Sequence, residues 1–424
     1  MRKVAFYTLG CKMNFHETAF IREQFKTERY EVVPFSDQAD IYVINTCTVT
    51  SAADAKSRKA IRRAKRNNPD ALVVVTGCYS EVYPEQIKSI EEADIITGNV
   101  EKREIVKIVE NHREGKFLKG VWTVNTFFPL LNLDYGDKSR AFVKIQQGCE
   151  AFCSYCIVPK ARGRCLSESP EKIIEHITLL VEQGYSEIVL TGTHLGAYGK
   201  DIGQTLSSIL KEILKIPGEF RIRLSSIEPQ EFSDELRDVV LSERIAPHFH
   251  IPIQSGSDKI LRLMRRNYTV NYFAKLIEKL VEKKKDVCIG TDVMVGFPGE
   301  TDDDFKQGYK ILKGLPVGYF HVFSYSQRRG TEAYLMPNKV SDKERKKRSE
   351  KLIALGEKKN YQFRKEYFGK TLKCISLGKS EKFTVLSGNY IHIKVDKLSN
   401  RNGFLNVKLT ESGAEREDNR GILV

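Results

Sequence analysis

Three cysteines, Cys149, Cys153 and Cys156, stand behind Gly148 at the spacing C-x3-C-x2-C. Thiolates are the usual ligands of iron–sulfur clusters, and full ligation of a cube takes four. Only three are local here. A cube in this loop therefore keeps one iron open, where a substrate or cofactor binds. Zinc is the competing ion. Structural zinc takes two pairs of ligands, and no Cys or His pair follows at a suitable distance; His176 and His194 are single and remote.

Three more cysteines each close an apolar run: 4–11 ends at Cys11, 41–47 at Cys47 and 72–78 at Cys78. A fourth run, 94–99, ends without one. The cysteines are 36 and 31 residues apart, a spacing that suits β-α-β units. Continuous apolar runs suit strands buried on both faces of a parallel sheet, and helical patterns at 17–28 and 52–66 lie between them. Ligands of such sheets bind beyond the carboxyl ends of the strands. The geometry predicts that the three thiols converge and hold a second cluster, again with an open iron. The competing explanation is that cysteine is often simply buried. It accounts for one strand-end cysteine and poorly for three. Cys165, Cys288 and Cys374 have no partner at ligand spacing and read as non-ligands.

From 141 to 326 strands and helices alternate. Strand candidates are 141–147, 187–193, 221–227, 248–254, 287–295 and 319–325, with helices such as 170–183 and 269–285 between them. Six β-α units predict a parallel barrel, complete or partial, whose site lies at the carboxyl ends of its strands. The residues there include Gly192, Thr193, Ser226, Glu228, Gln254 and Val295. They belong to small, polar, glycine-rich stretches that let a nucleoside and an amino-acid group approach the backbone. Beyond a helical pattern at 340–369, short alternating runs at 370–377, 383–386, 390–394 and 404–410 predict a small β-barrel.

Length and charge agree with several domains and a polyanionic partner. The chain has 424 residues and a net charge of +14, which points to nucleic acid. The helical stretch after Cys47 carries seven basic residues in the eleven from Lys56 to Arg66. Arg58, Arg62, Arg63 and Arg66 there are candidate phosphate contacts, against a plain solvated face. Arg162, just past the triple-cysteine loop, is a further candidate for an anion, against a surface salt bridge. Residues 341–370 add eleven basic and five acidic side chains. No run of 18 apolar residues is present, so no membrane span is expected, and a cytoplasmic location suits oxygen-sensitive clusters.

The C-x3-C-x2-C loop, with the aromatic Tyr155 before its third cysteine, resembles that of the radical S-adenosylmethionine enzymes. In that family the open iron binds the amino and carboxylate groups of S-adenosylmethionine. Taken with Cys11, Cys47 and Cys78, the chain resembles the radical methylthiotransferases over nearly its full length. Supporting stretches are Thr8-Leu9-Gly10-Cys11-Lys12-Met13-Asn14, Asn45-Thr46-Cys47-Thr48, Thr76-Gly77-Cys78-Tyr79 and Gly296-Phe297-Pro298-Gly299-Glu300. The resemblance implies an α/β chain with five parts: a cluster domain with an open parallel sheet (1–115), a linker (116–139), a radical SAM partial barrel (140–340), a basic helical connector (341–368) and a TRAM-like β domain (369–424). It also implies two [4Fe-4S] clusters, two molecules of S-adenosylmethionine per turnover, a sulfur donor, and an electron donor such as a flavodoxin or ferredoxin system.

The segment from Phe152 to Gly163 and the segment from Arg223 to Pro229 are most similar to the type that acts on threonylcarbamoyladenosine in tRNA. Leu166 and Glu168 depart from it, since basic residues are expected there. By this resemblance a radical formed at Cys149, Cys153 and Cys156 removes hydrogen from carbon 2 of the modified adenosine 3′ of the anticodon. The cluster on Cys11, Cys47 and Cys78 carries the inserted sulfur. The alternatives are the types acting on isopentenyladenosine in tRNA or on an aspartate of a ribosomal protein, and, further off, a non-enzymatic iron–sulfur RNA-binding protein.

Overall fold

The structure is a computed structural model that describes residues 1–112, 127, 139–377, 383–397 and 403–424. It packs as two units. One is Met1–Leu133 with Gln146–Leu166 and Ser326–Tyr334; the other is Asp134–Ile145 with Ser167–Tyr325 and Leu335–Val424. The linker expected over 116–139 falls almost wholly outside the described residues. The triple-cysteine loop was expected to belong with the barrel, and it packs instead in the same unit as the N-terminal sheet.

The first unit is built on five parallel strands, β1 (Arg2–Thr8), β2 (Tyr30–Val33), β3 (Ile41–Thr46), β4 (Leu72–Gly77) and β5 (Ile95–Ile96), in the order β2-β1-β3-β4-β5. β3 is buried at every position, as its unbroken apolar run requires. One face of the sheet packs on Ile61 and Ala64, the other on Phe20 and Phe25. The order reverses between β1 and β3, and ligands bind beyond the strand ends at such a switch point. β2 escaped the sequence because it is an edge strand of four residues with Glu31 and Val32 exposed. The fourth run shrinks to two strand residues. The first helix, Lys12–Gln24, starts five residues before its apolar period does. Asn14, His16 and Glu17 in its first turns are polar and nonetheless buried.

The second unit holds six parallel strands, β6 (Arg140–Lys144), β7 (Glu187–Thr191), β8 (Arg221–Leu224), β9 (His248–His250), β10 (Cys288–Val295) and β11 (Tyr319–Ser324). They form two sheets of three, β6-β7-β8 and β9-β10-β11. Single hydrogen bonds, Ile222 N–H to Arg244 O at 2.7 Å and Ile227 N–H to His250 O at 3.0 Å, bridge them. Helices with hydroxyl caps, Pro170–Glu182 behind Ser169 and Val270–Lys283 behind Thr269, connect the strands.

The helix Asp342–Lys365, capped by Ser341, leads into a closed barrel of β12 (Thr371–Ser376), β13 (Phe383–Ser387), β14 (His392–Val395), β15 (Phe404–Ser412) and β16 (Asn419–Leu423). β16, absent from the sequence reading, closes it. Cys374 fills the barrel core and Cys288 is buried in β10. Burial pushes both thiols up to about 12, which suits packing and not metal binding.

Candidate cluster and cofactor sites

Cys11, Cys47 and Cys78 follow β1, β3 and β4 directly, so three neighbouring parallel strands deliver them to one sheet edge. Cys11 is exposed; Cys47 and Cys78 are buried. Gly10 makes the approach possible. Its φ is +101°, and a Cβ there would stand 2.8 Å from Cys47 Cβ and 2.9 Å from its sulfur. Burial raises the Cys47 thiol to about 11, with the Cys78 and Cys11 sulfurs adding to the rise. Burial also raises Cys78, against the pull of Arg162 and Lys102. Three soft donors close enough to repel one another as thiolates are a fit donor set for an iron–sulfur cluster.

A polar frame missed by the sequence reading braces these ends. Asn14 Nδ2 donates to Leu9 O at 2.6 Å and to Thr46 O at 3.0 Å, while Asn45 Nδ2 donates to Asn14 O at 3.0 Å. Glu17, one turn along the same helix face, takes Lys102 Nζ at 2.5 Å. Arg328 donates to Thr48 Oγ1 and Asp54 Oδ2, both at 2.7 Å, and fixes the turn after Cys47. The only sequence signal for this frame is the polar run Asn14-x2-Glu17 inside a buried helix.

In the same unit the triple-cysteine loop is closed at its base, Cys149 N–H donating to Gly163 O at 3.1 Å. Gly148, at φ +76°, is required there, because a Cβ would meet Arg164 O at 1.6 Å. Cys156 N–H turns back on Cys153 O at 2.9 Å, and Ala333 N–H donates to Ser154 O at 2.7 Å. Phe152 adopts φ +44° with its ring half exposed; left-handed backbone in a bulky residue stores strain, which collects at functional loops. All three cysteines are partly accessible, and Tyr155 lies between Cys153 and Cys156 as expected. Their thiols are a chemical match for a three-ligand cluster.

Arg162 corrects the sequence reading. Its guanidinium is buried, 7% exposed, and bonds Glu17 and Asn14, so it is not offered to a nucleic acid. Burial alone would weaken its charge; the Cys78, Glu17 and Cys11 groups hold it firmly protonated. Arg58 is corrected likewise: its Nη1 donates to Tyr79 Oη at 2.8 Å, next to Cys78. Arg63 lies over the Phe35 ring at 5.3 Å and Arg62 reaches Glu92 only at 4.0 Å. Arg62, Arg63 and Arg66 remain on the exposed face of helix Ser51–Asn67.

In the second unit the strand ends carry the expected small polar residues. Gly192 and Thr193 follow β7, and Thr193 Oγ1 and Ser225 Oγ are buried with no hydrogen-bond partner among the described residues. Orphaned hydroxyls at barrel strand ends suit a ligand with hydroxyl and carboxylate groups, as S-adenosylmethionine has. Ser226 Oγ meets His250 Nδ1 at 2.8 Å. His250 Nε2 and His321 Nδ1 lie 3.1 and 3.2 Å from Asp292 Oδ1. Burial would raise Asp292; the two imidazoles hold it far below the usual carboxylate range.

Three candidates sit otherwise than expected. The Glu228 carboxylate pairs with Arg266. Gln254 is buried at φ +62°, its backbone bonded to Asp292 O and Met294 N–H. The Val295 side chain is in the core and its carbonyl accepts Tyr325 N–H. No described helix is long and apolar enough to cross a membrane.

Two family models match in tandem: an uncharacterised protein family, UPF0004, over residues 3–98, and the radical SAM superfamily over 143–312. The chain is 43% identical to the threonylcarbamoyladenosine tRNA methylthiotransferase MtaB of Aquifex aeolicus, over 92% of this chain and 96% of that one. It is 41% identical to the Bacillus subtilis enzyme of the same name, over 88% and 85%. A tRNA-2-methylthio-N(6)-dimethylallyladenosine synthase of Fusobacterium nucleatum stands at 33%, over 97% and 98%. Among solved structures, the radical S-adenosylmethionine methyltransferase TsrM of Kitasatospora setae shares the fold at TM-score 0.58 and 15% identity, over 79% of this chain and 77% of that one. The tandem match and the full-length relatives agree: the chain belongs to the radical S-adenosylmethionine methylthiotransferases, enzymes whose cofactors are S-adenosylmethionine and two [4Fe-4S] clusters.

Proposed function

We propose that this chain is a tRNA methylthiotransferase acting at carbon 2 of N6-threonylcarbamoyladenosine, 3′ of the anticodon. One observation carries the choice of substrate. The relatives at 43% and 41% identity are both named for it, whereas the dimethylallyladenosine synthase stands at 33%. The net charge of +14 supports a polyanionic substrate.

In this reading Cys149, Cys153 and Cys156 hold the cluster that engages S-adenosylmethionine, and Cys11, Cys47 and Cys78 hold the auxiliary one. The bound cofactors supply reductive cleavage of S-adenosylmethionine and the sulfur for insertion. The protein supplies thiolates at fixed positions. Asn14 and Gly10 bring the auxiliary ligands together, and the bond from Cys149 N–H to Gly163 O shapes the radical loop. Within the second unit, Thr193, Ser225 and Ser226 offer hydroxyls to a nucleoside at the barrel strand ends. The divisions 1–115, 140–340, 341–368 and 369–424 belong to the same proposal, as do a cytoplasmic setting, a flavodoxin or ferredoxin electron donor and a separate sulfur donor.

Mass spectrometry of tRNA nucleosides from a strain lacking this gene tests it. Loss of the methylthiolated threonylcarbamoyladenosine alone is expected. Loss of methylthio-isopentenyladenosine instead, or of a methylthio group from a ribosomal protein, would move the enzyme to another type. In purified protein, about eight irons should fall to about four when Cys11, Cys47 and Cys78 become alanine.

A further inference from the structure

Arg162 lies six residues past Cys156, within the loop of the S-adenosylmethionine cluster, yet its charge is delivered to the other set of cysteines. Its guanidinium grips Glu17 and Asn14. Asn14 in turn holds the carbonyls of Leu9 and Thr46, just ahead of Cys11 and Cys47. The second oxygen of Glu17 takes Lys102, which is fully buried. Arg162 and Lys102 share the one Glu17 carboxylate, and the Glu81 carboxyl, which burial raises to about 7, interacts with both cations as well. Buried charge is costly unless compensated, and the groups that hold the Arg162 charge are Cys78, Glu17 and Cys11. Three thiolates around a four-iron core would place further negative charge beside Arg162.

We propose that Arg162, fixed by Glu17 and Asn14, is the counter-ion of the auxiliary cluster and sets that cluster's reduction potential. The proposal rests on the assignment of Cys11, Cys47 and Cys78 as its ligands. The potential of an iron–sulfur cluster follows its net charge, the hydrogen bonds to its sulfurs and its exposure. A fixed cation favours the reduced form, which carries one more negative charge. The counter-ion also belongs to the radical loop, so the auxiliary site gains this cation only when that loop is seated.

The test uses full-length protein with Cys149, Cys153 and Cys156 changed to alanine, so that only the auxiliary cluster remains, and reads its midpoint potential by EPR-monitored potentiometry. Arg162→Gln is expected to lower the potential, Arg162→Lys to restore most of it, and Glu17→Gln to raise it. A frame with a merely structural role would not move the potential in opposite directions when opposite charges are removed. Equal potentials in the parent and in iron-replete Arg162→Gln overturn the proposal. If Arg162→Gln does not retain iron, Glu17→Gln, which leaves Arg162 in place, decides: a lowered potential overturns it. A parent with no iron at all removes the ligand assignment itself, and this inference with it.

Discussion

Arg348 and Glu300 form a buried ion pair, Nη1 to Oε2 at 2.6 Å, with neither side chain more than 5% exposed. The same carboxylate oxygen accepts the Gly296 N–H at 2.6 Å, so Glu300 closes its own turn after β10 and ties it to helix Asp342–Lys365. Glu300 thus works as a latch for the glycine-rich strand end. Removing Arg348 leaves the buried Glu300 carboxylate without its charge partner, which costs about 3–5 kcal/mol, whereas Arg348 without Glu300 keeps Asp302 at 2.6 Å and Glu344 at 3.3 Å. Arg348→Ala should shift the urea midpoint down strongly and Glu300→Gln less so, with the double variant losing less than the sum of the two. Additive losses would show that the two groups act independently.

The sequence showed the six cysteines proposed as ligands and the strands behind them because both signals are local: a cysteine after an apolar run, and the C-x3-C-x2-C spacing. All six barrel strands were read within a few residues. What it hid is tertiary. Arg162 and Arg58 look like surface cations in a basic chain, and only the fold turns them inward, onto Glu17 and Tyr79. Lys102 and Glu17 are 85 residues apart, so no spacing rule could pair them. The edge strand β2 and the barrel-closing strand β16 were missed because short, half-exposed strands carry little pattern.

Acid should weaken the second unit. Burial lowers His176 to about 4; it also lowers His392 to about 4, with Arg416, Arg140 and Arg223 adding to the fall. Both pKa values lie below the unfolded value of about 6.5. The stability they contribute is therefore present above pH 6.5 and is lost as pH falls through 4. The urea midpoint should drop between pH 6.5 and 4.5, and His392→Gln should flatten part of that drop. An unchanged slope in the variant would place the acid sensitivity elsewhere.

Cluster loading at Cys11, Cys47 and Cys78 should release protons. Burial holds the Cys47 thiol near 11 and raises Cys78, and ligands must lose their protons to bind metal. Binding of Co2+ to the apoprotein lacking the other three cysteines should strengthen from pH 7 to pH 8. Calorimetry in buffers of different ionisation heat reads the released protons directly. Affinity that is flat with pH would mean that the thiols are already ionised.

The basic face of helix Ser51–Asn67 gives the sharpest test of tRNA contact, because the structure divides its arginines. Arg58 is committed to Tyr79, and Lys65 bonds Ala71 O at 2.8 Å and Asp94 at 3.0 Å. Arg62, Arg63 and Arg66 keep their charge at the surface. If these three meet phosphates, changing each to alanine removes a released counterion, so the slope of log affinity against log salt should fall by about 1 per residue. Folding should change little. Arg58→Ala should instead destabilise the first unit, through the loss of its bond to the tyrosine beside Cys78. Filter binding of the modified tRNA across a salt series, with a urea melt of each variant, separates the two roles. An unaltered salt slope in the triple variant would make this face a solvated one and send the search for the tRNA surface to the helix Asp342–Lys365 and the C-terminal barrel.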